Sequence, residues 1–158
     1  MCAVAVRSAS SDEPAEELTS GMWNASQGRT ETYSLSPSDD ETTIQKDGSW
    51  LGSMVRIWLD EEWAPLECHT VIGHGVSEAY MAARREGNHE MQDVLMCLAN
   101  DLQNVDYYDS FTDAFTVANK SIELLMLRAG IECGCTSEAD RTCIERFEKK
   151  LAAEAANN

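Results

Sequence analysis

No stretch of this 158-residue chain approaches the roughly 20 consecutive apolar residues that cross a bilayer. Residues 1–11 hold no long apolar block, so a secretory signal is not expected. Basic patches are missing too. Arg84-Arg85 and Lys149-Lys150 are pairs set among acids, and the formal net charge is -16. A chain this acidic is repelled by phosphate backbones and anionic lipid, which leaves cations or basic proteins as natural partners. Three histidines give little acid–base capacity near neutral pH. The chain contains no Gly-x-Ser-x-Gly string, phosphate-cradling glycine loop or dinucleotide fingerprint. The expectation is therefore a protein that is not an enzyme.

What is present suits one domain. Hydrophobic residues make up 43% and charged residues 25%, near the globular average, and most of the apolar ones follow Ser49. Residues 1–49 carry three basic and nine acidic residues in a Ser/Thr-rich tract without sustained periodicity. Such a segment cannot bury enough apolar surface to offset its conformational entropy, so a disordered acidic tail is expected there. Trp23 and Tyr33 are its lone aromatics. Within it, residues 1–11 (MCAVAVRSASS) lack acids and are rich in Ala, Val and Ser, as at the end of an organelle transit peptide; an ordinary loose terminus reads the same way. The sequon at Asn24-Ala25-Ser26 has no meaning without secretion.

Residues 50–158 are expected to form the folded domain. Leu51, Met54, Val55, Trp58 and Leu59 follow helical spacing, although Val55, Ile57 and Leu59 also alternate as in a strand. Pro65 suits a first helical turn, Leu66, His69, Gly73, Val76, Tyr80 and Ala83 share one stripe, and Gly87 ends it. Asn88 then caps a helix with Met91, Val94, Leu95, Leu98 and Leu102 on its apolar face. Ser110 and Asp113 read as a capping box before the stripe Phe111, Phe115, Ala118, Ile122 and Leu125, with Gly130 as terminator and Ile131 closing over the last turn. Ser137 to Asp140 repeat the capping logic, and Cys143, Ile144, Phe147 and Leu151 mark a last helix. The fold class expected is all-α, a compact bundle of about five amphipathic helices behind the tail.

Several constellations could carry chemistry. Cys68, His69, His74, Cys133 and Cys135 offer thiolates and imidazoles suited to zinc. Cys-x-Cys is tighter than the usual zinc spacing, however, and helical neighbours 68 and 69 point about 100° apart, so no metal or cofactor is expected. Glu86-x-x-His89 is a single di-iron half-motif across an expected loop, with no second copy. Cys133-Gly134-Cys135 is a candidate redox pair, since a disulfide over one residue is strained and easily reduced. The six cysteines otherwise read as reduced thiols of an intracellular protein. Asp106, Asp109 and Asp113 surround a helix start, where the dipole favours negative charge. Asp60, Glu61 and Glu62 lie between Trp58 and Trp63, a candidate partner-binding edge of acid flanked by large rings; burial of both rings in the core is the competing reading.

The strings Trp58-Leu59-Asp60-Glu61-Glu62-Trp63, Glu67-Cys68-His69, Asp113-Ala114-Phe115 with Ala118-Asn119-Lys120, and the cysteine loop at 133–135 resemble uncharacterised small helical proteins of chloroplasts and photosynthetic microbes, over roughly residues 50–135. The resemblance implies a plastid address, in the stroma or at the stromal thylakoid face, and no mechanism. The resulting expectation is a non-catalytic protein-interaction factor, an assembly or regulatory factor of a photosynthetic complex that docks its acidic bundle on a basic surface. The alternatives are a thiol-redox or metal-binding protein using Cys68/His69 and Cys133/Cys135, and a constitutive accessory subunit of such a complex.

Overall fold

A computed structural model describes residues 33–35, 40–131 and 138–156, all within the unit Thr32–Asn158. Residues 1–32 and 36–39 of the expected tail at 1–49, and the Cys133/Cys135 loop, lie outside the described residues. The protein is an all-α bundle with five α-helices among those residues: α1 (Glu41–Glu62), α2 (Glu67–Arg85), α3 (Met91–Asp101), α4 (Ala114–Arg128) and α5 (Glu138–Ala156). A 3-10 turn, Leu102–Asn104, follows α3. No helix of the described residues is long and apolar enough to cross a membrane.

The expected domain boundary at residue 50 falls inside α1, a correction with a clear cause. Asp40 caps the helix by accepting from the Thr43 amide at 3.2 Å and the Thr43 hydroxyl at 2.9 Å. Gly48 and Ile44 then continue the buried face about one and two turns ahead of Leu51. Glu41 forms an ion pair with Arg85 of α2. Two apolar contacts and a cap suffice to order a polar stretch whose composition reads as tail. Tyr33 to Leu35, also in the expected tail, pair with the start of α3: Leu35 N–H donates to His89 O at 2.7 Å and Met91 N–H to Tyr33 O at 2.8 Å.

α1 and α2 form an antiparallel pair joined by a short loop containing Pro65. They cross at Gly52 and Gly73 with backbone against backbone. A Cβ on Gly52 would lie 2.3 Å from the Gly73 carbonyl oxygen, and one on Gly73 2.5 Å from that of Gly52. Gly48 lies similarly against Met81 and the Ser77 carbonyl. Met54, Val55, Ile57 and Leu59 of α1 are all buried, so this helix is packed on several sides. Ile72, Val76 and Tyr80 of α2, Val94 and Leu98 of α3, Val117, Ala118, Leu124 and Leu125 of α4, and Cys143 and Phe147 of α5 complete the same core.

Helix ends match expectation where glycine decides them. At Gly87 (φ 86°) and Gly130 (φ 72°) the left-handed backbone lets the two following amides bond back into the last turn. Asn88 N–H donates to Ala83 O and Ile131 N–H to Met126 O, at 3.1 and 2.9 Å. Two starts differ. Asn88 does not cap α3, whose first turn follows Glu90; its side-chain amide donates to Cys97 Sγ at 3.4 Å. Ser110 does not cap α4. Its hydroxyl donates to Tyr107 O at 2.8 Å, while Asp113 accepts from the amides of Phe115 and Thr116 at 2.9 and 3.0 Å and from the Thr116 hydroxyl at 2.8 Å. A carboxylate accepting from three donors outcompetes a neutral hydroxyl as a cap, and the Ser110 hydroxyl is left to donate elsewhere.

Two outcomes follow. Gly52→Ala drives a methyl into a carbonyl of the facing backbone and should destabilise the fold by about 3 kcal/mol in urea unfolding, whereas Ala at Gly130 should cost less. The bonds from Thr116 and Phe115 hold the Asp113 carboxyl below its usual pKa. Its contribution is thus present above the unfolded-state pKa and lost as pH falls through the folded one. Asp113→Ala should cost about 1 kcal/mol at pH 7 and progressively less as the pH is lowered below 4.

Candidate functional site

α4 runs antiparallel to α1, and the contacts between them form a ladder on the tryptophans of α1. The Arg128 guanidinium lies 4.2 Å from the centre of the Trp50 ring, and the Lys120 ammonium 5.7 Å from that of Trp58. Both cations are held in turn, Arg128 by Asp47 at 3.1 Å and Lys120 by Glu123 at 2.7 Å. Each such cation–ring contact is worth about 0.5–2 kcal/mol depending on desolvation. At the third rung no cation of the described residues covers the ring. Trp63, just past the end of α1, meets Phe111 with ring centres 5.8 Å apart and planes tilted by 33°.

This last rung faces solvent. Trp63 is 52% exposed and Phe111 73%, and Phe115 in the first turn of α4 is 63% exposed. Against the competing reading that buried both rings, Trp58 is half-buried under Lys120 and Trp63 is not buried. Phe111 and Phe115 also depart from the core stripe expected of them, which the structure places on Val117, Ala118, Ser121, Ile122, Leu124 and Leu125. Helical period identifies a face but not where along the helix the neighbour ends. Phe111 adopts φ 56°, a left-handed conformation unfavourable by about 1–2 kcal/mol for a residue with a Cβ.

The loop before α4 holds Phe111 in place. Asp106 accepts from the Tyr108 amide at 3.0 Å, and buried Ser110 returns its hydroxyl to Tyr107 O. The Tyr107 hydroxyl is buried with no hydrogen-bond partner among the described residues. That burial, reinforced by the Asp113 charge, pushes its pKa up to about 12. Asp106, Asp109, Asp113 and Glu62 are exposed, so the aromatic surface is bordered by acid. The signal in the sequence was Asp113-x-x-Thr116, a stronger cap than Ser110, which moves the helix start past Phe111.

The acids of the expected partner edge are differently placed. Asp60 accepts from Arg56 at 3.0 Å and pairs with His69 Nδ1 at 2.8 Å, and Arg56 reaches on to Glu154 of α5. His69 is fully buried, and its Nε2 has no hydrogen-bond partner among the described residues. Glu61 binds Arg146 at 2.6 Å and also Lys150, both on α5. Two of the three acids thus hold the bundle together, while Glu62 is exposed. Among the described residues no three His, Cys, Asp or Glu side chains converge as metal ligands. Cys68 is half-buried beside the engaged His69. Burial, with Glu86 and other acids nearby, pushes the Cys97 thiol pKa up, which keeps it protonated and a poor nucleophile.

Tyr107→Phe removes a buried, unpaired hydroxyl and should leave stability at pH 7 unchanged or raised by about 1 kcal/mol. The raised pKa fixes the sign at high pH: the unfolded chain ionises first, so the parent protein loses stability relative to Tyr107→Phe between pH 10 and 12. Paired urea melts at pH 7, 10 and 11.5 read this difference, and the ultraviolet tyrosinate titration of Tyr107→Phe lacks the step near 12.

No curated protein and no solved structure matches the chain. A family model does, over residues 33–129, which takes in Tyr33, the helices α1 to α4 and the whole aromatic edge and stops short of α5. The chain belongs to the family described as Domain of unknown function (DUF8822).

Proposed function

We propose that this chain is a non-catalytic protein-interaction module that docks on a basic partner through the edge formed by Trp63, Phe111 and Phe115. The observation that carries the reading is the Trp63–Phe111 pair, two large rings left in solvent, with Phe111 on a left-handed backbone. Exposed aromatic clusters with a polar border are the anchors of protein interfaces. The border of Glu62, Asp106, Asp109 and Asp113, on a chain of net charge -16, favours a cationic partner and speeds encounter. Trp58, Asp60 and Glu61, grouped on sequence with Glu62 and Trp63, are instead engaged within the bundle by Lys120, His69, Arg56 and α5.

The resemblance to plastid proteins supplies the finer reading, an assembly or regulatory factor acting on a photosynthetic complex in the stroma or at the stromal thylakoid face. Capture from chloroplast extract with the full chain as bait tests partner and setting together. A partner recovered at fixed stoichiometry with a complex marks a constitutive subunit instead. Against the captured partner, Trp63→Ala and Phe111→Ala should each weaken binding by about 2 kcal/mol, roughly 30-fold in Kd. Raising salt from 50 to 500 mM should weaken it further, mainly by slowing association. Equal affinity of parent and both variants refutes the aromatic edge, and salt independence refutes the electrostatic part.

A further inference from the structure

The chain has 12 Lys and Arg against 28 Asp and Glu, yet two of its arginines line one cavity. The cavity has a volume of about 430 Å³ and lies where α1, α2 and the end of α4 meet the segment 33–35. Small-molecule sites run from about 300 to 1,000 Å³, so this one has room for a compact ligand. Its walls divide by chemistry: Leu35, Ile44 and Leu125 are aliphatic, while Asp47, Tyr80, Arg84 and Arg128 are polar. The polar groups are fixed in place. Arg84 is 5% exposed, and a guanidinium is costly to bury; its five N–H donors form a rigid fork that serves more than one acceptor. Arg128 is held on two sides, by Asp47 at 3.1 Å and by the Trp50 ring at 4.2 Å. Tyr80 is 2% exposed. Burial pushes its phenol pKa up, and the charges of Arg84, Asp47 and Arg128 act on the same group, so its hydroxyl is a protonated donor set among them.

We propose that this cavity binds a small monocarboxylate with a short aliphatic tail, the carboxylate held by Arg84, Arg128 and the Tyr80 hydroxyl and the tail laid against Leu35, Ile44 and Leu125. A planar carboxylate matches the guanidinium fork and accepts from several donors at once. Charge selects a single negative group. Two guanidiniums against the one carboxylate of Asp47 leave these lining side chains with one net positive charge. A dianion meets Asp47 beside Arg128 and the field of a chain of net charge -16, whereas a neutral head group forgoes the charge-assisted bonds. The site stands apart from the aromatic edge, since Arg128 and Phe115 are at opposite ends of α4, about 20 Å apart along its axis.

The test titrates sodium octanoate into the full chain at pH 7 by isothermal titration calorimetry, with octanamide and octyl phosphate as comparators. Octanoate should bind one site with a Kd of about 1 mM or lower, as its roughly ten non-hydrogen atoms allow in a preformed site. Octanamide and octyl phosphate should each bind at least tenfold more weakly. Arg84→Gln should weaken octanoate at least tenfold, and Tyr80→Phe, which keeps the ring, at least threefold. If Arg84→Gln fails to fold by circular dichroism, Arg128→Gln gives the same comparison. Trp50 reports occupancy through Arg128: octanoate should change the tryptophan fluorescence of the parent chain, and Trp50→Phe should lose that change. Absence of octanoate binding, or binding unaltered by the arginine and tyrosine variants, would overturn the site. Octanamide of equal affinity would overturn the role of the guanidiniums, and octyl phosphate of equal or higher affinity would overturn the choice of a monocarboxylate. None of these results bears on Trp63 or Phe111, so the docking edge stands or falls by its own measurements.

Discussion

The contact of Gly52 with Gly73 sets the geometry on which the other elements depend. With no side chain on either residue, the backbones of α1 and α2 touch, and each carbonyl occupies the space a Cβ would need. That approach brings the end of α1 beside the start of α2, so His69 reaches Asp60 while fully buried. It also keeps the pair thin enough for α4 and α5 to pack on the remaining sides of α1, which explains why Met54, Val55, Ile57 and Leu59 can all be buried on one helix. A wider crossing would leave α1 with more surface than the rest of this small chain could cover.

Positive charge is scarce, 12 Lys and Arg against 28 Asp and Glu, and the fold employs much of it internally. Arg128 and Lys120 cover two tryptophans, Arg56 joins α1 to α5, Arg85 anchors the start of α1, and Arg146 and Lys150 hold α5. The consequence is a surface on which acids such as Glu62, Asp109 and Asp113 remain exposed while those cations are engaged. At the end of the tryptophan ladder where no cation of the described residues covers the ring, ring meets ring in solvent. Structural use of the cations and the proposed acidic docking edge are thus two sides of the same charge distribution.

The helices from α2 onward were legible because their signals are local. Stripes at helical spacing marked His69, Val76, Tyr80, Val94 and Leu98, and glycines able to turn left-handed marked both Gly87 and Gly130. Helix starts were less legible. Several polar residues in a row can each cap, and the choice depends on how many donors converge, as at Asp113 over Ser110. The start of α1 was hidden in a polar composition because Ile44 and Gly48 gain their meaning from Tyr80, Met81 and Ser77 on another helix.

By itself the sequence determined the class of the fold, the acid excess and the ends of helices, since composition, periodicity and glycine conformation act over a few residues. Tertiary structure decided the rest, because it depends on partners far apart in the chain. It assigned Asp60 and Glu61 to ion pairs within the bundle, set Trp58 under Lys120, and left Trp63, Phe111 and Phe115 in water. Side chains alike in type and spacing differ in role according to whether another helix lies over them, and that is a property of the packed molecule.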